Sequence, residues 1–266
     1  MKIQLDKRKI CIAVTVVAIV ALLACEIVGF EGLLGDDPDP MLTSAVEMTV
    51  TRAIGGAVFI TILIYHGYRV LNPIKKPFWK GVLFALPALC VAVNNFPIYP
   101  VVSGAAAINA QPFRIALFIA QCVMVSFFEE CCFRGVFFLG FLKNRRGTVL
   151  KRFIAIALSA AVFGLVHLVN VALGASLGAV ILQVGYSFLI GAMCSVVLMK
   201  TSNLWLCVIL HAVYNFGGGI IEQCGEGARW DAFTVVITVI VAVATTAYMV
   251  ISFFKIKESK LERLYE

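Results

Sequence analysis

Long apolar stretches alternate with short polar segments along the whole 266-residue chain. A helix that crosses the hydrocarbon core of a bilayer needs about 20 mostly apolar residues, and most of these stretches reach that length. The pattern therefore predicts an all-α, polytopic membrane protein with about eight transmembrane helices and a single integral membrane domain, 1–266. The predicted spans are 10–30, 48–71, 81–97, 113–142, 153–172, 177–199, 204–221 and 232–254.

Composition supports lipid as the solvent for most of the chain. Hydrophobic residues make up 61% and charged residues only 14%, and the mean hydropathy is +0.98. A soluble domain of this length cannot bury so much apolar surface. The lipid bilayer is therefore a predicted partner of the chain.

Basic residues cluster between the apolar stretches. The net charge is +7, but clusters near Lys7, Lys75, Arg145, Lys200 and Lys257 follow the positive-inside rule, so no nucleic-acid partner is predicted. With eight spans both termini lie on one side, and every basic cluster falls on that side. We expect an integral protein of the cell (plasma) membrane with both termini in the cytoplasm.

The fourth predicted span contains three ionisable residues within six positions, Glu129, Glu130 and Arg134. Each such group costs about 2.5–3.5 kcal/mol at the centre of a membrane helix, so a compensating arrangement is expected. On an α-helix Glu130 and Arg134 are one turn apart with the acid first, which predicts an ion pair. Glu129 projects about 100° away from Glu130 and is predicted to be free for another role.

Three further polar side chains lie inside later spans, His167, His211 and Asn215. His211 and Asn215 are four residues apart and share one helix face. Intramembrane histidines and asparagines often only bond neighbouring helices. A polar intramembrane cavity that joins them to Glu129, however, would contain a general base, orienting groups and oxyanion donors, the set that hydrolysis of an amide needs.

Other protease patterns are absent or badly placed. There is no His-Glu-x-x-His helix, and the string Gly174-Ala175-Ser176-Leu177-Gly178 links two membrane helices instead of a strand and a helix. The nine cysteines show no C-x-x-C spacing. We interpret the adjacent pair Cys131 and Cys132 as small apolar core residues.

Three ordered motifs give the chain a resemblance to a known family. They are Glu129-Glu130-x-x-x-Arg134, Phe163-x-x-x-His167 and His211-x-x-x-Asn215. In this order on successive apolar segments, they resemble the CAAX protease and bacteriocin-processing family. Its members are intramembrane endopeptidases related to the type II CAAX prenyl endopeptidases. The resemblance covers a core of about 113–221.

The resemblance implies roles for the polar residues. Glu129 would be the base that activates water, assisted by His167, while His211 and Asn215 would bind the oxyanion. Glu130, also in the candidate site, would pair with Arg134 as a scaffold. The substrate would be a membrane-associated protein or peptide, such as a lipidated, CAAX-like carboxyl terminus or a leader peptide.

Two alternatives stay open. The family has also been described as metalloproteases, and Glu129, His167 and His211 could provide a two-histidine, one-carboxylate zinc site. We favour a metal-free mechanism, because Asn215 is a poor zinc ligand and a good amide donor. The rival functions are a non-catalytic self-immunity protein of the same fold and, with less support, a proton-coupled transporter; transporters often have internal repeats, and none is visible.

Overall fold

The computed structural model describes residues 13–17, 20–21, 40–72, 78–143 and 147–265. Most of the first predicted span, 10–30, lies outside the described residues, as do the basic positions Lys75 and Arg145. The parts of that span that are described, 13–17 and 20–21, are helical.

Helices dominate the described chain, and one short pair of strands joins two loops. In chain order the elements are α1 Pro40–Tyr65, α2 Phe78–Asn94, α3 Ile98–Val102, β1 Ala106–Ile108, α4 Pro112–Glu129, a π-helix Glu130–Phe138, α5 Leu139–Lys143, α6 Val149–Val166, α7 Val169–Ala172, α8 Leu177–Thr201, α9 Leu204–Cys224, β2 Gly225–Gly227, α10 Ala232–Phe254 and α11 Glu258–Glu262.

The prediction of an all-α polytopic membrane protein is confirmed. Within the described ranges, six helical segments are long and apolar enough to cross a membrane: Met41–Tyr65, Pro112–Lys143, Val149–Ala172, Leu177–Thr201, Leu204–Cys224 and Ala232–Phe254. Helix α2 is apolar but has only 17 residues. The count of eight spans stays a prediction.

The second span lies closer to the N-terminus than the pattern indicated. It was predicted at 48–71, whereas α1 runs from Pro40 to Tyr65. The helix therefore includes several residues before the predicted start, and Arg52 packs on α4 with its guanidinium 5.1 Å from the centroid of the Phe128 ring. Gly67, with φ of 72°, lies in the turn that follows the end of the helix.

Two irregularities occur in the helices that carry the candidate residues. The fourth span is not one α-helix, because its hydrogen bonding changes to the π form from Glu130 to Phe138. The fifth span is interrupted at His167, which caps the C-terminus of α6 and precedes the short helix α7. Helix breaks at membrane depth are tolerated where they are covered by protein or line a cavity.

Helix α9 is closely packed because it contains three consecutive glycines. A Cβ atom on Gly217 would lie 2.5 Å from the Phe96 ring, and one on Gly219 would lie 2.8 Å from the Phe118 ring. Beyond α9, strand β2 pairs antiparallel with β1, so that Ala106 faces Gly227. This pairing joins the loop before α4 to the loop after α9, and it was not predicted from the sequence.

Candidate active site

Glu130 and Arg134 are an ion pair in the centre of the helix bundle. Glu130 Oε2 lies 3.2 Å from Arg134 Nε, and their side chains are 0% and 1% exposed. The guanidinium also lies over the Phe163 ring, 4.1 Å from its centroid. Gly191 of α8 makes room for it, because a Cβ atom there would lie 2.7 Å from Arg134 Nη2. Close packing therefore restricts the position of Arg134.

Glu130 has a second partner that helical spacing did not indicate. Its Oε1 lies 2.8 Å from Nδ1 of His211, which comes from α9. The other ring nitrogen of His211, Nε2, lies 3.4 Å from Oε2 of Glu129. His211 is thus positioned between the two adjacent carboxylates, with one nitrogen toward each.

The contacts of His211 constrain its protons. Nδ1 faces the Glu130 carboxylate, an acceptor, so it carries a hydrogen. A hydrogen bond between Nε2 and Glu129 requires a second proton at that position, either on the imidazole or on the carboxyl group. The Glu129 side chain is 16% exposed, more than its neighbour Glu130.

His167 has a defined tautomer. Its Nδ1 lies 2.9 Å from the carbonyl oxygen of Phe163, one turn earlier. A carbonyl oxygen can only accept, so Nδ1 carries the hydrogen and the neutral ring has a lone pair on Nε2. The side chain is half-buried. The break after α6 therefore presents a basic nitrogen.

The Phe163 ring packs against both histidines. Its edge contacts with His167 and His211 have centroid distances of 5.2 and 5.7 Å. Phe163 itself is 1% exposed. One aromatic ring thus sets the relative positions of the two imidazoles and, through the cation–π contact, of Arg134.

Asn215 lies one turn beyond His211 on α9. Its Nδ2 is 3.3 Å from the hydroxyl of Ser126, which lies on α4 one turn before Glu130. Ser126 is fully buried. The contact is long for a hydrogen bond, so the amide can turn toward a stronger acceptor.

The structure therefore brings Glu129, Glu130 and His211 into direct contact. His167 is linked to this group through Phe163, and Asn215 adjoins it through Ser126. The chemical roles assigned to these residues stay predictions.

The alternative zinc site does not match the arrangement of these side chains. Within the described part of the chain, the three ligand-type residues with donor atoms within 4.8 Å of one another are Glu130, Cys194 and Cys207. Glu129, His167 and His211 do not form such a group. Tetrahedral zinc with ligands at about 2.0–2.2 Å needs its donors closer together than that, so these three residues do not fit the metal as they are placed.

Several residues near the site were missed from the sequence. Ser126 was hidden in an apolar run, and Gly191 looked like an ordinary small residue of a membrane helix. Arg229, in the loop after β2, donates from Nη2 to Oδ1 of Asn95 at 2.6 Å. The sequence did contain a signal for Arg229. It is an arginine beside the glycine-rich end of α9, in a loop whose other charged residues are acidic.

The fold and the site together define a helical integral membrane protein with a cluster of carboxylates and histidines inside its core. Residues 111–217 match the family model described as type II CAAX prenyl endopeptidase Rce1-like. This segment is therefore similar to the Rce1-like family, in agreement with the resemblance that the three ordered motifs indicate. No curated protein and no solved structure matches the chain.

The matched segment contains both carboxylates, both histidines and Asn215. It begins at the start of α4 and ends within α9. The similarity to this family therefore covers the part of the chain that contains the candidate site.

Proposed function

We propose that the chain is an intramembrane endopeptidase that hydrolyses a peptide bond of a membrane-associated or lipidated protein with water activated by Glu129. The observation that carries this proposal is the position of His211, whose two ring nitrogens face Glu129 and Glu130. A partly exposed carboxylate beside a held imidazole, in an apolar surrounding, suits a general base next to an oxyanion donor.

In the proposed reaction a water molecule loses a proton to Glu129, and its oxygen attacks the carbonyl carbon of the scissile bond. The lone pair on Nε2 of His167 orients this water. Nε2–H of His211 and the Asn215 amide donate to the oxyanion that forms. Glu129 then returns the proton to the leaving nitrogen as the C–N bond breaks, which releases an amine and a carboxylic acid.

Glu130 has an orienting role in this proposal. Its contact at Nδ1 holds the His211 ring with Nε2 directed toward Glu129. Arg134 in turn fixes Glu130. We propose a location in the cell membrane with both termini in the cytoplasm. We also propose that the enzyme uses no metal cofactor, and measurement of its metal content distinguishes this mechanism from that of a zinc enzyme.

The test is cleavage of an internally quenched, prenylated peptide by the purified protein in detergent. Glu129→Gln should be inactive because the base is lost. Asn215→Ala should retain about 10⁻²–10⁻³ of the rate, the usual effect of losing one oxyanion donor. Glu47→Gln, which changes another carboxylate within a membrane helix, is the matched control and should stay active.

Metal content is measured by mass spectrometry on the same preparations. Stoichiometric zinc that is lost in His167→Ala and His211→Ala, with reversible inhibition by a chelator, would overturn the glutamate mechanism. A fully active Glu129→Gln would exclude the protease function itself.

A further inference from the structure

Arg229 extends from the loop after β2 toward the interior of the bundle. Its Nη2 donates to Asn95 Oδ1 at 2.6 Å, and its guanidinium lies over the Trp230 ring, 4.6 Å from the centroid. Asn95 follows the end of α2 and is itself buried. Nδ2 of Asn95 donates to the backbone carbonyl of Tyr214 on α9 at 2.7 Å. Asn95 therefore connects Arg229 to the helix that carries His211 and Asn215.

The guanidinium has a neutral partner where a charged one would be expected. Among the described residues, no carboxylate lies within ion-pair distance of Arg229. Its Nε is buried and has no hydrogen-bond partner. Burial also lowers the pKa of Arg229. A partly desolvated cation with unused donors is favourably placed to bind an anion, because the anion replaces the interactions with water that the cation lost on burial.

Arg229 lies on the same side of α9 as the candidate catalytic groups. His211, Asn215 and Gly218 follow at intervals of four and three residues, which is one face of a helix. A Cβ atom on Gly218 would lie 2.8 Å from Asn95 Nδ2 and 3.4 Å from Arg229 Nη2. Gly218 is seven residues beyond His211, so the guanidinium is about 10 Å further along this face.

Tyr186 of α8 packs against α9 beside this interval. Its ring lies 5.9 Å from that of Tyr214, which comes between His211 and Gly218 in the chain.

We propose that Arg229 is the subsite that binds the C-terminal carboxylate of the peptide cleaved at Glu129 and His211, and that Asn95 positions it. The proposal rests on the proposed protease function and specifies its substrate as a peptide with a free carboxyl terminus. An extended chain spans at most about 3.3–3.6 Å per residue, so three residues cover the interval of about 10 Å. If the peptide ends in a C-a-a-X sequence, the scissile bond next to His211 is then the peptide bond that follows the modified cysteine.

The donors of Arg229 are arranged for this role. Nη2 is held by Asn95, while the fork of the guanidinium keeps further N–H groups, including Nε, for a carboxylate. Arginine binds carboxylates through two parallel hydrogen bonds, a geometry that lysine cannot provide. Because Gly218 has no side chain, Asn95 and the guanidinium can lie close to α9.

The experiment compares two forms of one peptide with S-farnesyl cysteine at the fourth position from its end, one with a free C-terminal carboxylate and one with an amide. Wild type should cleave the acid with a kcat/KM about 10–100-fold above that of the amide, mainly through KM, the factor expected for a hydrogen-bonded charge. Arg229→Gln should lose this preference, and Arg229→Lys should keep part of it.

Asn94→Ala is the matched control. Asn94 adjoins Asn95 but donates to Thr238 of α10 at 2.8 Å. The variant therefore tests whether weaker packing at this end of the bundle is enough to remove the preference for the acid peptide. The acid-to-amide ratio should stay as in wild type. A wild type that does not distinguish the two peptides, or an Arg229→Gln variant with an unchanged ratio, would overturn the carboxylate subsite.

Binding separates this proposal from the protease function. Fluorescence anisotropy of the two labelled peptides on Glu129→Gln should show tighter binding of the acid, and Glu129→Gln combined with Arg229→Gln should bind both equally. Binding that depends on the carboxylate without any cleavage by wild type would refute the protease function and keep the subsite. Cleavage by wild type that does not depend on the carboxylate would keep the protease function and refute the subsite.

Discussion

Replacing Glu130 with glutamine removes the only carboxylate within ion-pair distance of Arg134 in the described chain. Arg134 is 1% exposed and its Nη1 and Nη2 have no hydrogen-bond acceptor. Breaking a buried ion pair by removing one partner costs about 3–5 kcal/mol. Proteins of ordinary stability have about 5–15 kcal/mol in total, so Glu130→Gln should lose a large part of the folded population.

The adjacent Glu129 is the internal control for this prediction. Its side chain is 16% exposed and contacts His211 at 3.4 Å, a longer distance than that of the Glu130 contact. Glu129→Gln should therefore change the free energy of unfolding by less than about 1 kcal/mol, the range of partly exposed pairs. The same type of substitution at two neighbouring positions should thus differ severalfold in its effect.

The measurement is reversible unfolding in mixed micelles at increasing fractions of denaturing detergent. The double variant Glu130→Gln with Arg134→Met should be more stable than Glu130→Gln alone, because no charge is then left unpaired in the core. Equal losses in Glu129→Gln and Glu130→Gln, or a double variant with the sum of both single losses, would refute this account of the pair.

Three other changes test separate features. Gly191→Ala should destabilise the protein by about 1–3 kcal/mol in the same assay, since its methyl group would overlap Arg134 Nη2; an unchanged stability would show that Arg134 moves freely. Asp231, whose pKa is lowered by hydrogen bonds from Thr234 and from backbone N–H groups at the start of α10, contributes stability above the usual carboxyl pKa that is lost as pH falls through its lowered value. Asp231→Ala should therefore melt below wild type at neutral pH, with a gap that closes in acid. In a cysteine-free background, cysteines at Lys151 and Glu226 should be labelled from opposite sides of the membrane, and labelling from one side would contradict the topology.

The sequence was sufficient for the features that depend on local periodicity. Apolar runs predicted the helices with good accuracy at α8 and α10, where the flanking residues are polar or cap the helix. The spacing of four residues between Glu130 and Arg134 likewise anticipated their contact. These features follow from neighbours along one helix, which the pattern records directly.

Other features depend on residues that are distant in the chain. The contact of Glu130 with His211 joins α9 to the fourth span, and no spacing rule specifies it. The π-helix begins at Glu130, and no change in the period of the surrounding apolar residues marks its start. The pairing of β1 with β2 and the approach of Arg229 to Asn95 join loops more than a hundred residues apart, and these contacts exist only after the bundle has assembled.

The three glycines of α9 also affect how this helix keeps its shape. Each glycine inside a helix costs about 0.5–1 kcal/mol relative to alanine, so Gly217–Gly219 weaken the intrinsic helix by about 1.5–3 kcal/mol. The rings of Phe96 and Phe118, which occupy the space where side chains would be, hold this segment in place from outside. If either ring moves away, the backbone here should unwind before any other part of α9. The helical order of the segment that follows Asn215 therefore depends on the side chains packed around it.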